Sequence, residues 1–192
     1  MKLSLYDINI ERSSIVMRFW VCLIVFCWMI HPSFAQQKLD QLLVYGDGFI
    51  FSVKEPSGWK GDTANAEKFQ CNVVLHEAGQ PSESFAGLIR SRLNDKADEN
   101  TSADLEEDMR DYKARYPNVH FKDLFTKHPS YQCLAKIFYI PGTSYEYVAY
   151  VNPGAHKPFL FSVSMNSGKS EANAEELDAF RSAVQSLRLH KP

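Results

Sequence analysis

The chain predicts an α+β domain, an antiparallel sheet with helices packed on it, and three observations carry that expectation. Several stretches alternate apolar and polar residues with period two, as half-buried strands do. The late strand-like runs are joined by short connections rich in Pro and Gly, which make antiparallel neighbours the default. Two segments carry helical spacing instead, one interrupting the strands and one following them, the order of an α+β chain.

Leu42-Leu43-Val44-Tyr45 is a short apolar stretch, and Gly46-Asp47-Gly48 turns the chain. From Phe49 the pattern alternates, with Phe49, Phe51 and Val53 on one side and Ile50, Ser52 and Lys54 on the other. Pro56-Ser57-Gly58 ends that strand before Trp59. Residues 62–69 are polar and indeterminate. Residues 71–76 read as a second strand, closed by Gly79-Gln80-Pro81. Residues 85–93 alternate around Arg90 and Arg92, which favours a strand over a helix.

After a charged linker at 94–100, Thr101 opens a helix whose apolar face is Leu105, Met109, Tyr112 and Tyr116. Thr101 and Asp104 resemble a capping box, and Pro117 stops the helix. Four strand runs follow, at 119–125, 131–140, 145–152 and 159–165. Residues 131–140 are apolar on both faces, so they are expected to be central and covered twice. In the last run Phe159, Phe161, Val163 and Met165 oppose Ser162 and Ser164. Asn173 and Glu176 form a capping pair for a second helix with the buried stripe Leu177, Phe180, Val184 and Leu187. Residues 186–190 extend as a final edge segment.

Residues 17–35 have the three-part layout of a secretory signal. Arg18 precedes the apolar run 19–30, Pro32 breaks it, and Ser33-Phe34-Ala35 places small residues before a cleavage site between Ala35 and Gln36. A dozen apolar residues fall short of the ~20 that a spanning helix needs. Residues 1–35 are therefore expected to be removed, leaving residues 36–192 as one soluble domain with a periplasmic or secreted location. Asp7 and Glu11 suit a signal's leading region poorly, so Met17 is a candidate true start. Cys22 and Cys27 lie inside the apolar run and Gln36 follows Ala35, so no lipid anchor is expected.

Lys2, Arg12 and Arg18 leave with the leader, as do Asp7 and Glu11, so the mature chain carries a net charge of about −3. That balance speaks against nucleic acid, which needs a basic footprint, and against electrostatic membrane binding. Cys71 and Cys133 survive processing. In an oxidising compartment a lone pair most often bridges, worth ~4 kcal/mol for a loop of about 60 residues. Two buried thiols in separate strands are the alternative.

The strand 49–54 running into Pro56-Ser57-Gly58-Trp59, together with the closing helix Phe180-Arg181-Ser182-Ala183-Val184-Gln185-Ser186-Leu187, resembles the PsbP-like superfold. The mid-chain helix and late strand meander fall in matching places, so the resemblance covers nearly all of the mature chain. It implies an α/β/α sandwich around a central antiparallel sheet. It implies no chemistry, since members of this superfold serve mostly as binding or accessory proteins with differing partners.

No catalytic or ligand-binding motif stands out. His76, His120, His128, His156 and His190 show no pair at the spacing of a zinc protease, so no metal site is expected. Cys71 and Cys133 lie in apolar strand patterns without a partner base, and Gly-x-Ser-x-Gly and phosphate-loop patterns are absent. No cofactor is expected. The acidic helix face of Glu106, Glu107, Asp108 and Asp111 reads as solvated surface, with Glu106–Arg110 and Asp111–Arg115 pairs. Asn100-Thr101-Ser102 matches a glycosylation sequon. Tyr139, Tyr145, Tyr147 and Tyr150 are candidates for an aromatic groove that binds a protein. The leading expectation is a non-enzymatic exported domain that binds an envelope protein or small ligand. A periplasmic hydrolase whose site forms only in the fold, or a carrier of a small apolar ligand, are the alternatives.

Overall fold

In a computed structural model of the chain, residues 41–80, 89–95, 101–154 and 157–190 are described. The leader, its start at Met17 and its cleavage site at Ala35 and Gln36 lie outside the described residues, as do His156 and the sequon's Asn100. Ten strands and two helices account for most of the remainder: β1 (Gln41–Gly46), β2 (Phe49–Lys54), β3 (Trp59–Asp62), β4 (Val73–Glu77), β5 (Ile89–Asp95), α1 (Thr101–Arg115), β6 (His120–Asp123), β7 (Gln132–Ile140), β8 (Ser144–Asn152), β9 (Phe159–Gly168), α2 (Ala174–Ser186) and β10 (Arg188–His190). The polar stretch before β4 contains a 3-10 turn, Ala66–Phe69.

Seven strands form one antiparallel sheet in the order β3-β4-β5-β9-β8-β7-β6, and β1-β2-β10 form a second, smaller one. Alternation along the central strands splits the core in two. Tyr147, Ala149 and Val151 of β8, with Phe161, Val163 and Met165 of β9, meet Phe180, Ala183, Val184 and Leu187. Phe51 and Val53 of the small sheet enter the same cluster, so α2 and the small sheet together cover that face. On the opposite face Leu105, Met109 and Tyr112 of α1 pack on Phe138, Val148, Tyr150 and Leu160. The architecture is α+β, with helices on both sides of an antiparallel sheet.

The turns follow their residues. Trp59 N donates to Pro56 O at 3.0 Å, and Gly58 takes the left-handed φ of 79° that this turn requires. Gly46 faces Phe49 across the first hairpin, where an added Cβ would lie 1.9 Å from the ring. Asn173 accepts from Glu176 N at 2.9 Å while Asn173 N donates to the Glu176 carboxylate at 2.8 Å, completing the expected capping box. β10 pairs with β2 as the expected final edge.

Three expectations are corrected. β7 is covered on both faces near its end (Ile137 and Phe138 are buried), but β9 is the central strand and β7 lies next to the edge. Its two-sided apolar pattern reports a core cluster on each face, not position within the sheet. Thr101 does not spend its hydroxyl on Asp104. The hydroxyl donates to Gln132 Oε1 at 3.2 Å and accepts from Asn152 Nδ2 at 3.0 Å, which ties the helix start to β7 and β8. Ser52, expected on the solvent side of β2, is fully buried and donates to Gln41 Oε1 at 3.1 Å. Among the described residues, no helix is long and apolar enough to cross a membrane.

Candidate functional site

α1 lies over β7 and β8, and among the described residues no helix covers the strip formed by β9 and β5 on the same face. The sequence turns polar there, with Ser162 and Ser164 on β9 and Arg90, Arg92 and Asn94 on β5. Between this strip and the side of α1 is a cleft of about 420 Å³, bounded at one end by Phe69, Gln70 and Cys71. Val148 and Leu160 supply a buried apolar patch in its floor.

The base of the cleft is cross-linked by charge-assisted bonds. Arg90 Nη2 donates to Glu146 Oε1 at 2.5 Å, and the Tyr112 hydroxyl donates to the other oxygen of the same carboxylate. The Tyr150 hydroxyl donates to Asp108. Burial raises the Asp108 carboxyl above its ordinary range, opposed by the Tyr150 bond and reinforced by the charges of Asp111 and Glu146. Burial likewise raises both phenols, helped by Glu146 at Tyr112 and by Asp108 at Tyr150, so both hydroxyls stay protonated as donors. Asn94 Nδ2 donates to Ser162 Oγ at 2.8 Å.

Charge in the cleft is unevenly placed. Asp104, Glu107, Asp108 and Asp111 project from α1, while both arginines come from β5. Arg90 is paired with Glu146, whereas Arg92 is exposed and has no ion-pair or hydrogen-bond partner among the described residues. Among the described residues, no histidine lines the cleft. Cys71 lines it, but its Sγ lies 3.4 Å from both Ala66 O and Val73 O, which share its one S–H, and burial pushes its thiol up to about 11. A thiol so held is a poor nucleophile near neutral pH. Among the described residues no group of three or more His, Cys, Asp or Glu side chains is placed to hold a metal ion.

The four candidate tyrosines do not form one surface. Tyr139 and Tyr145 are half-buried cross-strand partners, stacked with centroids 5.4 Å apart. Tyr147 is buried on the α2 side, where its hydroxyl accepts from Ala172 N at 2.8 Å, and Tyr150 is buried on the α1 side. Period-two alternation sends residues 147 and 150 to opposite faces. The expected Cys71–Cys133 bridge is also not formed: both are free thiols. Cys133 on β7 packs into the α2-side core, whereas Cys71 lies beside β4 with Ala66 and Val74. Four strand spacings from β4 to β7 amount to about 19 Å, far beyond the ~7 Å limit between bridged Cα atoms.

Glu106, Glu107 and Asp111 are solvent-exposed as expected, but Asp108 turns inward. Arg115 places its guanidinium over the Tyr112 ring at 5.2 Å and donates to the Asp111 carbonyl, not its carboxylate. His120 stacks on Tyr139, His76 sits at the end of β4, and His190 lies 2.9 Å from Ser52 Oγ. His128 is buried among backbone groups. The cleft residues Arg90, Asp108, Tyr112 and Glu146 carried no motif. Glu146 within an otherwise apolar strand, and the Ser162-Val163-Ser164 alternation, were the traces of a polar strip on a covered sheet.

No protein-family model matches the chain, and no curated protein does. Among solved structures, it is similar to the solution structure of cyanobacterial PsbP (CyanoP) from Synechocystis sp. PCC 6803. The two are 12% identical, the match covers 83% of this chain and 99% of that one, and the TM-score is 0.45. At this level of similarity no residue role passes from one protein to the other.

Proposed function

We propose that the chain is an exported, non-enzymatic accessory domain of the cell envelope that seats a small polar ligand in the cleft beside α1. The observation that carries this reading is the cleft itself: a concave site whose Arg90–Glu146–Tyr112 and Tyr150–Asp108 bonds fix its polar groups, with no nucleophile beside a base among the described residues. Its charged lining argues against a carrier of an apolar molecule, because such a ligand would strip water from Glu107, Asp111 and Arg92 without replacing it. The leader pattern at 17–35 supports export. The test is native mass spectrometry of protein recovered from the envelope fraction. A small-molecule adduct is expected on the wild type and not on Ser164→Trp, which fills the cleft, and the mature chain should begin at Gln36. Uncleaved cytoplasmic protein, or an adduct indifferent to Ser164→Trp, would overturn the reading.

One observation favours a second reading, a periplasmic hydrolase. Asp108 and Glu146 are two carboxyls in one cleft with contrasting surroundings, one raised by burial and one bound to Arg90. Turnover of chromogenic glycosides that Asp108→Asn abolishes would establish it.

A further inference from the structure

We propose that the ligand of this cleft is amphoteric, a small molecule carrying an ammonium and a carboxylate on a short apolar stem. The proposal rests on the reading of the cleft as a ligand seat, and it follows from how its charges are divided. Three of the strongest groups are already committed: Glu146 to Arg90 and Tyr112, Asp108 to Tyr150, and Arg90 to Glu146. What remains for an incoming molecule lies on two sides. Glu107 and Asp111 offer carboxylates from α1, and Arg92 offers from β5 a guanidinium with no partner among the described residues. Beside Arg92, Ser162 accepts from Asn94 and keeps its own proton free to donate, and Ser164 lines the same floor.

A dianion in the cleft would meet the acidic side of α1, and a dication would leave Arg92 unpaired against a like charge. Each is penalised at one end. A molecule with both charges matches both ends, its carboxylate taking the guanidinium as a charge-assisted partner and its ammonium lying against Glu107 and Asp111. Val148 and Leu160, both buried in the floor, give the intervening methylenes an apolar surface. A volume of about 420 Å³ suits a small metabolite.

Calorimetric titration of the exported protein at low salt tests this with ω-amino acids of one to five methylenes and two five-carbon controls, cadaverine and glutarate. At least one ω-amino acid is expected to bind tenfold or more tightly than cadaverine and glutarate. Arg92→Gln should weaken that ω-amino acid at least tenfold without moving the melting temperature or weakening cadaverine. The double variant Glu107→Gln/Asp111→Asn should weaken it comparably. Equal binding of cadaverine, indifference to Arg92→Gln, or no binding of any ω-amino acid at millimolar concentration would overturn the ligand class. The cleft as a ligand seat fails separately, when the native adduct ignores Ser164→Trp.

Discussion

The imidazole Nε2 of His128 lies 3.0 Å from the carbonyl oxygen of Leu187, 59 residues further along the chain. Nδ1 accepts from Ser130 N at 3.1 Å and Tyr131 N at 2.9 Å, which places the ring proton on Nε2 and makes Leu187 its acceptor. Arg188 Nη1, 2.8 Å from the same nitrogen, donates to the same carbonyl. The ring also stacks on Tyr131, with centroids 4.4 Å apart. The loop after β6 is thereby fastened to the junction of α2 and β10 through a neutral histidine.

Protonation of His128 would put a proton on Nδ1 against two N–H donors and a charge beside Arg188. Burial chiefly, with Arg188 assisting and the Leu187 bond opposing, holds its pKa below the ordinary value. The native state therefore binds a proton less readily than the unfolded chain, whose histidine titrates near ~6.5. Stability from this group is complete above that value and declines as pH falls through it toward the native pKa. His128→Gln should lower stability at pH 7.5 by about 1–2 kcal/mol and flatten the fall between pH 7 and 5. Thermal denaturation across that range measures both, and an unchanged slope would contradict the assignment.

The two thiols make a redox prediction. Burial pushes Cys71 and Cys133 each up to about 11, and they lie in separate clusters. Reductant should leave the melting temperature unchanged, and denatured, unreduced protein should titrate Cys71 and Cys133 as free thiols. A loss of about 4 kcal/mol on reduction would restore the bridge.

Asp108 carries a charge that burial disfavours, so its carboxyl is less stable ionised in the native state than in water. With the native pKa raised, this group's contribution improves as pH falls through that pKa toward the unfolded value. Asp108→Asn keeps an acceptor for Tyr150 and removes the charge, so it should cost nothing at pH 7 or add about 1 kcal/mol. Asp108→Ala strands a buried phenol and should cost about 1–3 kcal/mol. Paired chemical denaturation curves separate the two.

Phe180 is wholly buried between α2 and the sheet, within 6.2 Å of the Tyr147 ring centroid. Phe180→Ala should cost about 3–5 kcal/mol, whereas Asn173→Ala, which removes only the cap, should cost about 1 kcal/mol. Similar losses for both would mean the helix is held by its end and not its face.

Local rules made much of the frame legible. Alternation assigned Phe161, Val163 and Met165 to one face and Ser162 and Ser164 to the other, and the Asn173–Glu176 cap marked the start of α2. Strand order was not written in such patterns, because β9 reaches the centre by pairing with β5 across the whole of α1. The cleft was invisible for the same reason. Its polar groups come from β5, α1, β8 and β9, and each looks like solvated surface when its own element is read alone. Tyr147 and Tyr150 misled in the opposite sense, since aromatic residues three apart on a strand point apart.

β2 sits between β1 and β10, with Arg188 opposite Ser52 and Leu189 opposite Phe51. In a chain made amino end first, that opening hairpin comes early and its third strand last. Until the final residues emerge, Phe51 and Val53 have only part of their cover, and closure spans nearly the whole domain. Such long-range completion slows folding. A chain halted before β10 docks would leave this edge of β2 unpaired and open to proteases.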